Sequence, residues 1–114
     1  MAYSYDRPVD PRPANILATT PPDRLVDGRN RPYFLWDCDV DLDGLRERLN
    51  DSNPVVSGYW LAKLMRQAKP DDVFTFARWS DIERLWPQLE RHLGEKRAFW
   101  TWFLGVWQRR HAPQ

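Results

Sequence analysis

Apolar and polar positions along this chain change their spacing near residue 33. Before that point, six of the ten prolines (Pro8, Pro11, Pro13, Pro21, Pro22 and Pro32) break any regular period. Proline fixes its own φ and disfavours helix at the residue before it. Residues 1–32 are therefore expected to form an extended, flexible, proline-rich arm. Tyr3, Tyr5, Ile16, Leu17, Leu25 and Val26 lie within it, so the arm is read either as a disordered leader or as a segment that orders on a partner. Tyr33, Phe34, Leu35 and Trp36 then stand in a row, four large side chains that mark the start of a packed core.

From Asp41 onward the spacing is helical. Leu42, Leu45 and Leu49 fall on one face, and Asp41 and Asp43 suit a first turn, where the helix dipole favours anions. Asn53 followed by Pro54 is a strong start signal for a second helix, which runs to about Ala68 before Lys69-Pro70 stops it. A short helix is expected after Asp71, through Val73, Phe74 and Phe76, although the alternation over residues 73–76 also fits a strand. Ser80-Asp81-Ile82-Glu83 has capping-box spacing, and Ile82, Leu85, Trp86 and Leu89 follow as a stripe. Pro87 either ends that helix at Trp86 or kinks it. The last helix is expected from about Glu95 to Arg110. Phe99, Trp100, Phe103, Val106 and Trp107 cluster on one side of it, with Trp102 and Leu104 on the flanks. Its apolar arc spans about 200°, against about 100° for an ordinary surface helix. Such a helix is nearly enclosed, or it packs on its own domain with one flank and on another protein with the other. The elements together predict an all-α fold, a small bundle of four or five short helices over residues 33–110, between the arm and a tail of residues 111–114.

A chain of 114 residues is one domain. Its seven tryptophans are more than so small a core is expected to enclose, and Trp is enriched at interface hot spots. The single cysteine, Cys38, leaves no internal disulfide and fits a reducing compartment. No apolar run approaches the ~20 residues needed to span a bilayer. No basic flank with an apolar stretch opens the chain, so a cytoplasmic protein without membrane contact is expected. The net charge is +1, but residues 36–53 carry six acids against Arg46 and Arg48, and residues 91–114 carry Arg91, Lys96, Arg97, Arg109 and Arg110 against Glu95. The chain is acidic in the middle and basic at the end.

Candidate chemistry is sparse. From Asp39 the chain reads D-x-D-x-D-G, like the first half of a calcium-binding EF-hand loop. The twelfth position, which needs a bidentate Glu, is Asn50. An acidic helix start is the better reading, and no metal or cofactor is expected. Acids beside Cys38 would raise its thiol pKa rather than activate it. His92 and His111 are the only histidines, and His92 suits a helix end. With no catalytic set, the chain is expected not to be an enzyme.

Tyr33-Phe34-Leu35-Trp36-Asp37-Cys38-Asp39 leads into this acidic helix start, followed by Trp60-Leu61-Ala62-Lys63-Leu64-Met65-Arg66-Gln67-Ala68, by Asp71-Asp72-Val73-Phe74-Thr75-Phe76, and by Ile82, Leu85 and Pro87-Gln88-Leu89. In this order, over residues 32 to about 107, the chain resembles small bacterial antitoxin or partner proteins encoded beside nucleotidyltransferase toxins of the abortive-infection type. The resemblance implies a non-enzymatic antitoxin or accessory subunit that neutralises its cognate toxin by contact, with the nucleotidyl-transfer chemistry in the toxin. Trp100, Trp102, Phe103 and Trp107 are then the expected exposed anchors, with Arg109 and Arg110 at the rim. The acidic turn of Asp37, Asp39, Asp41 and Asp43 would meet a basic groove on the toxin.

Two rivals stand beside this. A nucleic-acid-binding transcriptional regulator would use the short connection Asn50-Asp51-Ser52-Asn53 as a helix-turn-helix, and cations interleaved with aromatics suit nucleic acid. Its second helix, however, opens Pro54-Val55-Val56-Ser57, without Arg, Lys or Gln for base edges, so nucleic acid is the less favoured partner. An enzyme with a metal at the Asp ladder is the third reading.

Overall fold

Helix occupies most of residues 18–110, which are those the computed structural model describes, and none of these residues lies in a strand. The expected tail 111–114, His111, and residues 1–17 of the expected arm, with Tyr3, Tyr5, Ile16 and Leu17, lie outside the described residues. The elements are α1 (Pro22–Leu25), α2 (Leu42–Leu49), α3 (Pro54–Gln67), α4 (Pro70–Phe76), α5 (Trp79–Leu89) and α6 (Arg97–Arg110), with 3₁₀ turns at Glu90–His92 and Gly94–Lys96. The fold is all-α, and no helix among the described residues is long and apolar enough to cross a membrane.

Local chemistry sets most of the starts. Asp41 caps α2, accepting from Gly44 N–H at 2.7 Å. Asn53 caps α3, accepting from Val55 N–H at 3.0 Å, with Pro54 in the first helical position, where its missing N–H costs nothing. The ambiguous run Val73–Phe76 is helix, begun by Pro70.

One expected feature of α5, its cap, is corrected. Its cap is not Ser80 but Arg78, whose backbone N–H donates to Asp81 Oδ2 at 3.0 Å. A guanidinium has no acceptor to offer in return, so only this half of a capping box forms. Of the two outcomes expected at Pro87, an end at Trp86 is excluded: α5 continues to Leu89 and passes into the 3₁₀ turns. Pro87 and Glu83, whose carbonyl loses its helical donor, both lie on the exposed side, where water replaces the missing bond. Gly94, at φ +56°, supplies the left-handed step between the two turns. The helical start expected at Glu95 therefore falls two residues later, at Arg97.

α3 is the central element. It packs most extensively on α5, and also on α2, α4 and both 3₁₀ turns. Leu61, Ala62, Leu64 and Met65 on α3 are buried, as are Leu45, Val73, Ile82, Leu85, Leu89, Leu93 and Trp100 around them. The close approach of α3 to α5 depends on Gly58, where an added Cβ would stand 2.7 Å from Gln88 Cβ.

The stretch 18–32, assigned by its prolines to the arm, is tied to α4. Ala18 N–H donates to Asp71 Oδ2 at 2.7 Å, and Thr20 donates to Asp72 through both its backbone N–H (2.7 Å) and its hydroxyl (2.6 Å). Asp72 is buried and also accepts from Tyr33 Oη at 2.7 Å. It sits in the first turn of α4, where a carboxylate is favoured by the helix dipole. Prolines argue against long helix, but they do not prevent a chain from binding through its other backbone groups, and that is what this segment does.

Substituting Gly58→Ala is expected to destabilise the domain by about 1–3 kcal/mol, since neither backbone can yield without disturbing the α3–α5 contact. Urea unfolding of the two proteins measures this; an unchanged midpoint would mean that the helices do not approach so closely.

Candidate functional site

The outward side chains of this domain are decided by their buried neighbours. In the run 33–36, Phe34 and Leu35 are inside, while Tyr33 is half out and Trp36 is 71% exposed. Backbone bonds from Leu35 N–H to the Pro32 carbonyl and from Cys38 N–H to the Leu35 carbonyl, at 3.1 and 3.4 Å, fold the run into consecutive turns. Side chains clamp it from α3 and α4: Gln67 Nε2 donates to the Phe34 carbonyl at 2.6 Å, and Tyr33 Oη accepts from Lys69 N–H at 2.8 Å. Trp36 thus stands on a fixed turn beside a groove of about 350 Å³ that Tyr33, Pro32, Val26 and Arg24 help to line. The four-residue apolar row marks the entry to the core, but only Phe34 and Leu35 of it are core.

The acidic turn divides. Asp37 bonds Lys63 Nζ at 2.6 Å, and Lys63, 5% exposed, also reaches Gln67 Oε1 at 3.1 Å. Asp41 is committed to capping α2. Asp39 lies 3.6 Å from Arg31 Nη1, and Asp43 is exposed. Arg29, Arg31 and Arg48 share with Asp39 and Asp41 a hollow of about 290 Å³ at the α2 start. The surface there is of mixed charge, not a uniform acidic ladder. Among the described residues no group of three or more His, Cys, Asp or Glu is placed to hold a metal ion. Burial pushes the Cys38 thiol up, with Lys63 opposing and Asp37 reinforcing, so the thiol stays protonated near neutrality. The His92 ring packs edge-on against Tyr59 at 5.4 Å, and its carbonyl accepts from Arg66.

On α6 the four expected anchors separate. Trp100 is fully buried, its Nε1–H donating to the Met65 carbonyl at 2.9 Å. It belongs to the core and cannot be an exposed anchor. Trp107 stacks on Trp79 (5.6 Å, 17° between planes), and Phe103 meets Trp79 edge-on at 4.9 Å; both are half-buried. Trp102 faces outward, 60% exposed, with Phe103 stacked on its inner side at 5.9 Å. Arg109 and Arg110 are exposed at the end of the helix. Of the seven tryptophans one is buried, four are half-buried, and only Trp36 and Trp102 are mostly exposed. The exposed apolar surplus is thus two indoles, joined by Tyr33, Tyr59, Val55 and Phe99. Trp36 was the residue the pattern concealed: placed after Phe34 and Leu35, it reads as more core.

The helix that a helix-turn-helix would send into a groove is α3, which is instead the centre of the core. Compared with family models, curated proteins and solved structures, the chain finds no match.

Asp37 and Asp72 are both held below the ordinary carboxylate value of 3.8. For Asp37 the Lys63 bond is the main cause, partly opposed by burial. For Asp72 burial pushes upward, and the bonds from Thr20 and Tyr33 outweigh it. A lowered folded-state pKa gives stability that is complete above the unfolded value and lost as pH falls through the folded one. Stability is therefore expected to be level from neutrality to about pH 5 and to fall below about pH 4, more gently in Asp72→Asn than in the parent. Asp37→Asn, which leaves Lys63 without a counter-charge, should cost about 1–3 kcal/mol near neutrality, less than a fully buried pair because water reaches Asp37. Thermal melts across this pH range check both, and an acid limb identical in Asp72→Asn would contradict the assignment.

Proposed function

We propose that this chain is a non-enzymatic protein-binding subunit, an antitoxin or accessory protein that neutralises a cognate nucleotidyltransferase toxin by direct contact. The observation that carries it is the Trp36 indole, 71% exposed on a turn whose neighbours Phe34 and Leu35 are 0% and 2% exposed. A backbone held in place before docking leaves only the side-chain rotamers to be fixed on binding, and Trp is enriched among hot-spot residues. The adjoining groove gives a partner side chain somewhere to lie. Trp36 also belongs to the Tyr33–Asp39 run on which the resemblance to the toxin partners rests. Asp39 and Asp43 at the α2 start would complement a basic rim on the toxin, while Asp37 acts indirectly by holding the turn to Lys63.

Nucleotidyl transfer belongs to the partner in this proposal, and this chain supplies occlusion. Trp36 makes no large contribution to the free domain, so its removal separates docking from folding. Trp36→Ala is expected to leave stability within about 0.5 kcal/mol of the parent. It should weaken binding to the nucleotidyltransferase encoded beside this chain's gene by about 30-fold or more, the loss of a hot-spot side chain. Calorimetry on the purified pair, with transferase activity read in parallel, tests this. No complex, or a complex indifferent to Trp36, would overturn the proposal.

A further inference from the structure

The outward face of α6 is complementary to itself. Trp102 stands at its centre, with Phe99 three residues before it and Gly105 three after. Phe99 is 37% exposed, and Gly105 leaves a shallow open place, since a Cβ there would meet only the Arg109 guanidinium, at 3.5 Å. Glu95 lies seven residues before Trp102 and Arg109 seven after. Glu95 lies in the 3₁₀ turn that leads into α6 and Arg109 in the last turn of α6; at about 120° per residue through the 3₁₀ turn and about 100° along the helix, both fall on the Trp102 side. Both are exposed, and neither side chain has an ion pair or hydrogen bond among the described residues. On the flanks Arg97 pairs with Glu90, and Gln108 bonds Glu83.

We infer that this face is the interface of a homodimer, in which α6 packs antiparallel against α6 of a second copy about a two-fold axis at Trp102. An isologous contact of this kind sets positions equidistant from the axis against each other. The Phe99 ring then fills the place over Gly105 of the second copy, the two Trp102 indoles meet at the centre, and each Glu95 meets the other copy's Arg109. A parallel pairing would oppose like charges at both ends, so charge decides the direction. A glycine in the contact lets helix axes approach closely. The dimer goes beyond toxin docking and does not rest on it, because none of these residues lines the Trp36 groove.

Sedimentation equilibrium of the full chain tests this, with Glu95→Arg, Arg109→Glu and the double exchange, each checked for unchanged helicity. A reversible dimer is expected, its dissociation constant raised about 10-fold by either single reversal and restored to within about threefold by the double exchange, as for a close charge pair made twice. Trp36→Ala should leave it unchanged. A monomer up to about 1 mM, weaker than any interface of standard size would be, overturns the inference. So does a dimer that ignores both reversals, as one through another face would, or one that the double exchange fails to restore.

Discussion

The buried indole of Trp100 fixes the rotation of α6, and the outer surface of that helix follows from it. Trp100 is the largest fully buried side chain, and its Nε1–H would be left unsatisfied inside the core without the Met65 carbonyl at 2.9 Å. A buried donor without a partner costs about 1–3 kcal/mol, on top of the transfer energy of the ring. Met65 lies on α3, so this one bond ties the last helix to the central one. With position 100 facing inward, position 102 lies about 200° around the helix, where it must meet solvent. Exposing one indole costs less than failing to bury the other, because Trp102 still covers its inner side with Phe103.

The same contest is settled at residues 33–36. Phe34 and Leu35 are taken by the core, and clamps from Gln67, Lys69 and Asp72 hold the turn. Trp36 is outward because its neighbours are inward. Both exposed indoles therefore stand on rigid supports rather than on mobile loops, and rigid support is what converts apolar area into affinity. The proposed toxin contact and the inferred dimer use one such indole each, on different elements, so one assembly can hold both.

Where a signal is local, the sequence carries it legibly. Asp41 and the pair Asn53-Pro54 name the starts of α2 and α3 because a cap needs only the next three residues. The start of α5 misleads because Ser80 and Asp81 both lie at cap-like spacing, and the carboxylate that reaches the Arg78 N–H wins. Period arithmetic finds the wide apolar arc of α6 but cannot say which ring faces inward. That depends on a carbonyl 35 residues away. The ion pair Asp37–Lys63 and the approach of Gly58 to Gln88 are equally non-local, and nothing around either glycine or lysine announces them. The proline content of residues 18–32 hides three hydrogen bonds from Ala18 and Thr20 to α4.

The orientation of α6 is open to one direct measurement, hydrogen exchange at the seven indole N–H groups followed by NMR. The Trp100 N–H, bonded and without solvent access, should exchange slowest of all, near the rate set by global unfolding, while the Trp36 N–H exchanges as fast as a free indole. A Trp100 N–H that exchanges as readily as that of Trp36 would mean that α6 is turned differently on α3, and that the residues placed on its outer face are the wrong ones.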